Sequence, residues 1–134
     1  MAKKDKYIMT IPTEILRSDA IEWLTDSLGT DEPDILLDVI QTFRSDGANL
    51  VARMNDALHQ NDDQILFRTA HTLKSSSSIV GADRLSGACE TLEWALRRKQ
   101  PLDFVDAVAQ ITDAFTQADQ KLIIEIEKLE SKLA

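Results

Sequence analysis

Cysteine is almost missing from this 134-residue chain, and the single Cys89 excludes an internal disulfide and any metal centre built from several thiolates. A lone thiol also fits a reducing, intracellular setting. Glycine and proline are scarce, at 4 and 3 residues, which leaves little room for a turn-rich architecture. No apolar run approaches the roughly 20 residues that a membrane helix needs. The charged start Met1-Ala2-Lys3-Lys4-Asp5-Lys6 lacks the apolar stretch that would make it a secretory signal. Positive charge is the minority sign: 15 Lys and Arg stand against 23 Asp and Glu, a net charge of -8. Binding a nucleic-acid backbone draws on an excess of cations, so it is not the expected task. The expectation is a cytoplasmic protein with neither a membrane nor a nucleic-acid partner.

What is present is helical patterning. Hydrophobic residues make up 43% of the chain, enough for one core in one domain. Apolar residues recur at three- and four-residue steps in five segments. The first runs from about Pro12 to Leu28, with Ile15, Leu16, Trp23, Leu24 and Leu28 on one side and Gly29 as its stop. The second runs from Glu32 or Pro33 to His59, with Asp31 as its expected cap and Gly47 inside its apolar stripe. That glycine marks either a close helix approach or a local weak point. The third spans about Asp62 to Val80, capped by Asn61 or Asp62, and the fourth about Asp83 to Lys99. The fifth starts near Leu102 or Asp103 and reaches Leu133, with Val105, Val108, Ile111 or Thr112, Phe115, Leu122, Ile126, Leu129 and Leu133 inward. Short connections between long helices reverse the chain. The expected fold is therefore all-α: an antiparallel up-down-up-down four-helix bundle over residues 12–133, with an additional short N-terminal helix packed across one end. Residues 1–11 are expected to form a flexible lead-in.

Chemistry concentrates on the third segment. Residues three, four and seven apart share a helix face, so His71 shares one with Phe67, Arg68, Lys74, Ser75 and Ser78, away from the Leu66–Ala70–Ser77 stripe. His71 is thus expected at the surface in mid-helix. A histidine imidazole titrates near 6.5 in model peptides and is largely neutral, and nucleophilic, near pH 7. It can form a bond to phosphorus. Lys74 can offset the negative charge of a phosphoryl group, and Ser75, Ser78, Arg84 and Arg68 are auxiliary donors. Small side chains around His71 leave room for a partner, and Phe67 and Ile79 could supply apolar contact. Taken singly, the same residues also suit a solvated helix face: an exposed histidine, a solubilising lysine and serines at a tight packing seam. His59 sits at a helix end without such company and is assigned to the surface. Cys89 is expected in the core or at its boundary, and Trp23 and Trp94 are expected to anchor packing at the periphery.

The stretch Ala70-His71-Thr72-Leu73-Lys74-Ser75-Ser76-Ser77-Ser78-Ile79-Val80-Gly81-Ala82, with Leu85 and Cys89-Glu90-Thr91-Leu92-Glu93 after it, resembles the histidine-containing phosphotransfer (HPt) domain. That family carries a histidine, a lysine three positions on and a glycine ten positions after the histidine, matched here by His71, Lys74 and Gly81. The resemblance covers roughly Pro12 to Leu133. It implies a four-helix bundle whose exposed His71 takes a phosphoryl group from the aspartate of one response-regulator receiver domain, such as that of a hybrid sensor histidine kinase. The group then passes to the aspartate of another receiver. Lys74 would assist electrostatically. The resemblance implies no cofactor in this domain, Mg²⁺ being the receiver's, and no autonomous kinase activity. Ser75 stands where the family commonly has glycine. That difference keeps open a second reading, an adaptor bundle that docks on a receiver without carrying phosphate. Met1 and the absence of a second domain favour a free-standing protein, and monomer is the expected state.

Overall fold

A computed structural model describes residues 11–133, which form five helices with no strand among them. In chain order these are α1 (Ala20–Leu28), α2 (Pro33–His59), α3 (Asp63–Ile79), α4 (Asp83–Arg98) and α5 (Phe104–Leu133). Apart from Ile11, the expected flexible lead-in lies outside the described residues.

Local chemistry sets most of the boundaries. α2 starts with Pro33 in its first turn, where the missing N–H costs no hydrogen bond. Its cap is an extended Glu32 without a side-chain bond, not the expected Asp31. Asp62 caps α3, its Oδ1 accepting the Ile65 N–H at 3.1 Å. Asp103 does the same for α5, accepting the Asp106 N–H at 3.0 Å. Gly29 and Gly81 adopt φ of 72° and 78°, a left-handed backbone that glycine enters without a Cβ clash.

The first expected helix is shorter than its apolar pattern suggested. Residues 12–19 are not helical, and two of their backbone groups bond instead to Gly81 in the α3–α4 turn and to the first turn of α4. The Arg17 N–H donates to Gly81 O at 2.9 Å, and Glu14 O accepts the Arg84 N–H at 3.0 Å. Pro12 lies against Gly87, where a Cβ would collide with its ring. From this irregular, bent path Ile15 and Leu16 still pack on the core. Apolar spacing marks which residues are buried; here it does not mark the backbone that buries them.

α2 packs on α3 and α5, α4 packs on the same two helices, and α1 touches α2 and α3. The four long helices therefore enclose one core, in which Leu36, Ile40, Met54, Leu66, Leu73, Leu85, Leu92, Ile111, Leu122 and Leu129 are fully buried. Gly47 marks a close approach: a Cβ there would overlap the Phe115 ring of α5, itself packed on Phe43 at 5.9 Å between centroids. Three residues expected inward or on an apolar side are exposed instead, namely Val105, Leu133 and Leu28. Val105 is 67% exposed because Phe104 and Ala107 take the inward positions of that first turn. Leu133 and Leu28 end their helices, where no neighbour remains to cover them. Cys89 is buried, and burial pushes its thiol well above the ordinary range, so it is an inert core residue. Trp23 is half-buried and donates through Nε1 to Ser78 O at 2.8 Å, with the Arg17 guanidinium 4.2 Å from its ring centroid. Trp94 is half-buried too. No described helix is long and apolar enough to cross a membrane.

Candidate functional site

His71 lies in the middle of α3, on the side facing away from Leu73, and its side chain is 55% exposed. One ring nitrogen is engaged. Nδ1 lies 2.9 Å from Oε1 of Glu93, which reaches across from α4. The Glu93 side chain is only 3% exposed, so a carboxylate has been taken out of water between two helices. Such burial is tolerable where cations and hydrogen-bond donors surround the group. Three partners do so here: His71, the Lys74 ammonium with Nζ 2.8 Å from Oε2, and the Arg97 guanidinium donating to Oε1 at 2.7 Å. Lys74 is the one partner of Oε2 among the described residues, and the contact is that of an ion pair.

This arrangement fixes the histidine's chemistry. An ionised carboxylate only accepts hydrogen bonds, so the proton of a neutral His71 ring sits on Nδ1. The lone pair is then on Nε2. The Phe67 ring stacks on the imidazole with centroids 6.2 Å apart and planes within 10°, and limits its rotation from the other side. Arg97 closes the group, its guanidinium carbon 5.5 Å from the Phe67 centroid. The result is an oriented nucleophile whose incipient positive charge faces an anion.

Burial pushes the Glu93 carboxyl up, but Lys74 and His71 outweigh that and hold it below its ordinary value of 4.5. A carboxyl depressed in the folded state stabilises the fold above its unfolded pKa, and loses that contribution as pH falls through the folded pKa. Wild type should therefore lose more unfolding free energy than Glu93→Gln as pH drops from about 5.5 to about 3. Urea titrations of both proteins at several pH values would measure this. A difference between the two that stays constant with pH would show that Glu93 is not the linked group.

The other expected site residues are placed unequally. Lys74 is at the site, tied to Glu93 rather than free. Ser75 is exposed one turn from His71, and its hydroxyl donates to the His71 carbonyl at 3.3 Å. Ser78 is exposed two turns along α3, and its carbonyl holds Trp23. Arg84 is not brought to the ring: it sits in the first turn of α4, nine residues before Glu93, or about 13 Å along the helix. Arg68 is exposed and borders a shallow recess of about 330 Å³ shared with Asp63, Gln64, Phe67 and Leu96. Ile79 is exposed, whereas Phe67 is half-buried. His59 is exposed and its Nδ1 is 2.8 Å from its own helix's Asn55 O. Glu93 and Arg97 were not singled out from the sequence. The available signal was a carboxylate four residues after Cys89 and three before Leu96, inside the apolar stripe of α4, with an arginine one turn on. Among the described residues, no group of three or more His, Cys, Asp or Glu side chains is placed to hold a metal ion.

The fold and site define a class: an all-helical protein presenting an oriented, half-exposed histidine with its own buried counter-ion. The Hpt domain family model matches residues 38–121, more than half of the chain, and the chain belongs to that family. Among solved structures, it is similar to the histidine-containing phosphotransfer protein B of Pseudomonas aeruginosa PAO1. The identity is 25% and the TM-score 0.75, over 87% of this chain and 98% of the other. No curated protein sequence matches.

Proposed function

We propose that this protein is a phosphorelay intermediate in which His71 Nε2 accepts a phosphoryl group from the aspartyl phosphate of one receiver domain and delivers it to the aspartate of another. The observation that carries the reading is the Nδ1–Glu93 hydrogen bond, which leaves Nε2 as the nucleophilic nitrogen on a half-exposed ring. In the accepting step the bond between phosphorus and the donor carboxylate oxygen breaks as the Nε2–phosphorus bond forms. The donor leaves as a carboxylate, and the ring becomes a phosphorylated imidazolium that keeps its Nδ1 proton. Glu93 then faces a cation, which stabilises the product and the transition state leading to it. The reverse sequence discharges the group to the next receiver. Lys74 assists by offsetting phosphoryl charge. The small hydroxyls of Ser75 and Ser78 leave space for the incoming domain.

In this reading residues 12–133 are the phosphotransfer domain, an up-down-up-down bundle with α1 across one end. The chain acts as a monomer in the cytoplasm, has no kinase activity of its own and needs no cofactor; Mg²⁺ belongs to the receiver. Incubation with phosphorylated receiver domains tests it. Acid-labile, base-stable phosphate should appear on the protein within the lifetime of the donor, and its absence with every receiver of the source genome would sink the reading.

A further inference from the structure

Lys74 has two claims on it. Its ammonium is the counter-charge of the buried Glu93 Oε2, at 2.8 Å, and in the reading above it also serves the phosphoryl group on His71 Nε2. The two positions lie on opposite sides of the imidazole, because Nδ1 faces Glu93. If Lys74 turned to the phosphoryl group alone, Oε2 would be left buried with neither a hydrogen bond nor a cation. Arg97 and the Nδ1 proton would still hold Oε1, but a buried carboxylate oxygen left without any partner carries its full desolvation cost.

Arg97 resolves the conflict. It already donates to Oε1 at 2.7 Å, and its side chain is 58% exposed, so it has room to move. A guanidinium presents a planar fork that can cover both oxygens of one carboxylate; an ammonium cannot. The Phe67 ring beneath Arg97 keeps the fork close to Glu93. We propose that Arg97 is a positioning residue that takes over both oxygens of Glu93 when Lys74 swings to the phosphoryl group on His71. This rests on His71 being the phosphoryl acceptor. Arg97 touches neither phosphorus nor the reacting nitrogen; it acts by releasing Lys74.

The test needs no partner protein, since phosphoramidate is a small phosphoryl donor. Neutral His71 Nε2 attacks phosphorus, the phosphorus–nitrogen bond of the reagent breaks, ammonia leaves, and the ring retains its Nδ1 proton as an imidazolium. Initial labelling rates are followed by ³¹P NMR, and the ring tautomer by ¹⁵N NMR. Arg97→Gln should lower the rate about tenfold, to the level of Lys74→Ala, because Lys74 stays locked on Glu93. Arg97→Lys should not restore it. Adding Glu93→Gln to Arg97→Gln should return the rate to within about threefold of Glu93→Gln alone. The neutral amide needs no cation, yet its oxygen still accepts from Nδ1. Arg98→Gln, on the neighbouring exposed position, should match wild type. Wild-type rates in Arg97→Gln, no recovery in the double variant, or a change of tautomer in Arg97→Gln would each overturn the proposal. Failure of wild type itself to label at His71 would instead strike the parent reading.

Discussion

His71→Gln is expected to abolish phosphoryl labelling while leaving the bundle folded. The substitution removes Nε2, the imidazole nitrogen on which the proposed transfer depends, and a neutral serine hydroxyl is a far weaker nucleophile than an imidazole. Lys74 is a charged ammonium engaged with Glu93, and the Ser75 hydroxyl donates to the His71 carbonyl. The side chain is 55% exposed, so little packing is lost, and the glutamine amide can still donate toward Glu93. Unfolding free energy should therefore stay within about 1 kcal/mol of wild type. The measurement pairs labelling by a phosphorylated receiver with urea unfolding. His59→Gln serves as the companion variant and should label normally, since His59 has no buried anion beside it, only the Asn55 carbonyl. Undiminished labelling of His71→Gln would place the acceptor elsewhere.

The second large effect lies two residues away, on the opposite side of the same helix. Leu73→Ala should destabilise the protein by about 2–5 kcal/mol, with a fall in melting temperature on the order of 10–20 °C. Leu73 is fully buried, and its loss removes apolar contacts and leaves a cavity where α3 meets the core. The cost sits near the lower end of that range if the bundle closes over the space. Calorimetry would read it directly. The folded fraction should still label, because the His71–Glu93 pair is formed on the other side of α3. A near-neutral Leu73→Ala would contradict the burial of this position. Loss of labelling without loss of stability would mean that packing beneath α3 sets the ring's geometry.

Much of this was legible because helices declare themselves by period. The spacing of Leu66, Ala70, Leu73 and Ser77 separated the buried side of α3 from the side bearing His71 and Lys74, and all four of those residues are buried. A cap at Asn61 or Asp62 and the stop at Gly81 were readable for the same reason, that local chemistry decides them, and the structure selects Asp62. What could not be read is whatever depends on a neighbour. Residues 12–19 carry a helix-like pattern but are bonded to the α3–α4 turn, and nothing in their own sequence names that partner. Val105 looked inward by spacing, but spacing cannot tell which residue of a first turn wins the inward place. Glu93 is the sharper case. A glutamate in an apolar stripe is ordinarily a register error, and its meaning emerges only when α4 is laid beside α3, with His71 and Lys74 supplying the reason for its burial.

The strap over residues 12–19 has a dynamic corollary. Turns between helices are usually among the first backbone segments to open to solvent, yet here the amides of Arg17 and Arg84 are held by carbonyls on opposite sides of the contact, Gly81 and Glu14. The expected result in hydrogen exchange is that the two amides are released together, when the strap lifts from the turn. The end of α3 is thereby latched by chain that precedes it by more than sixty residues, and local breathing at that end of the bundle becomes a cooperative event instead of independent fraying.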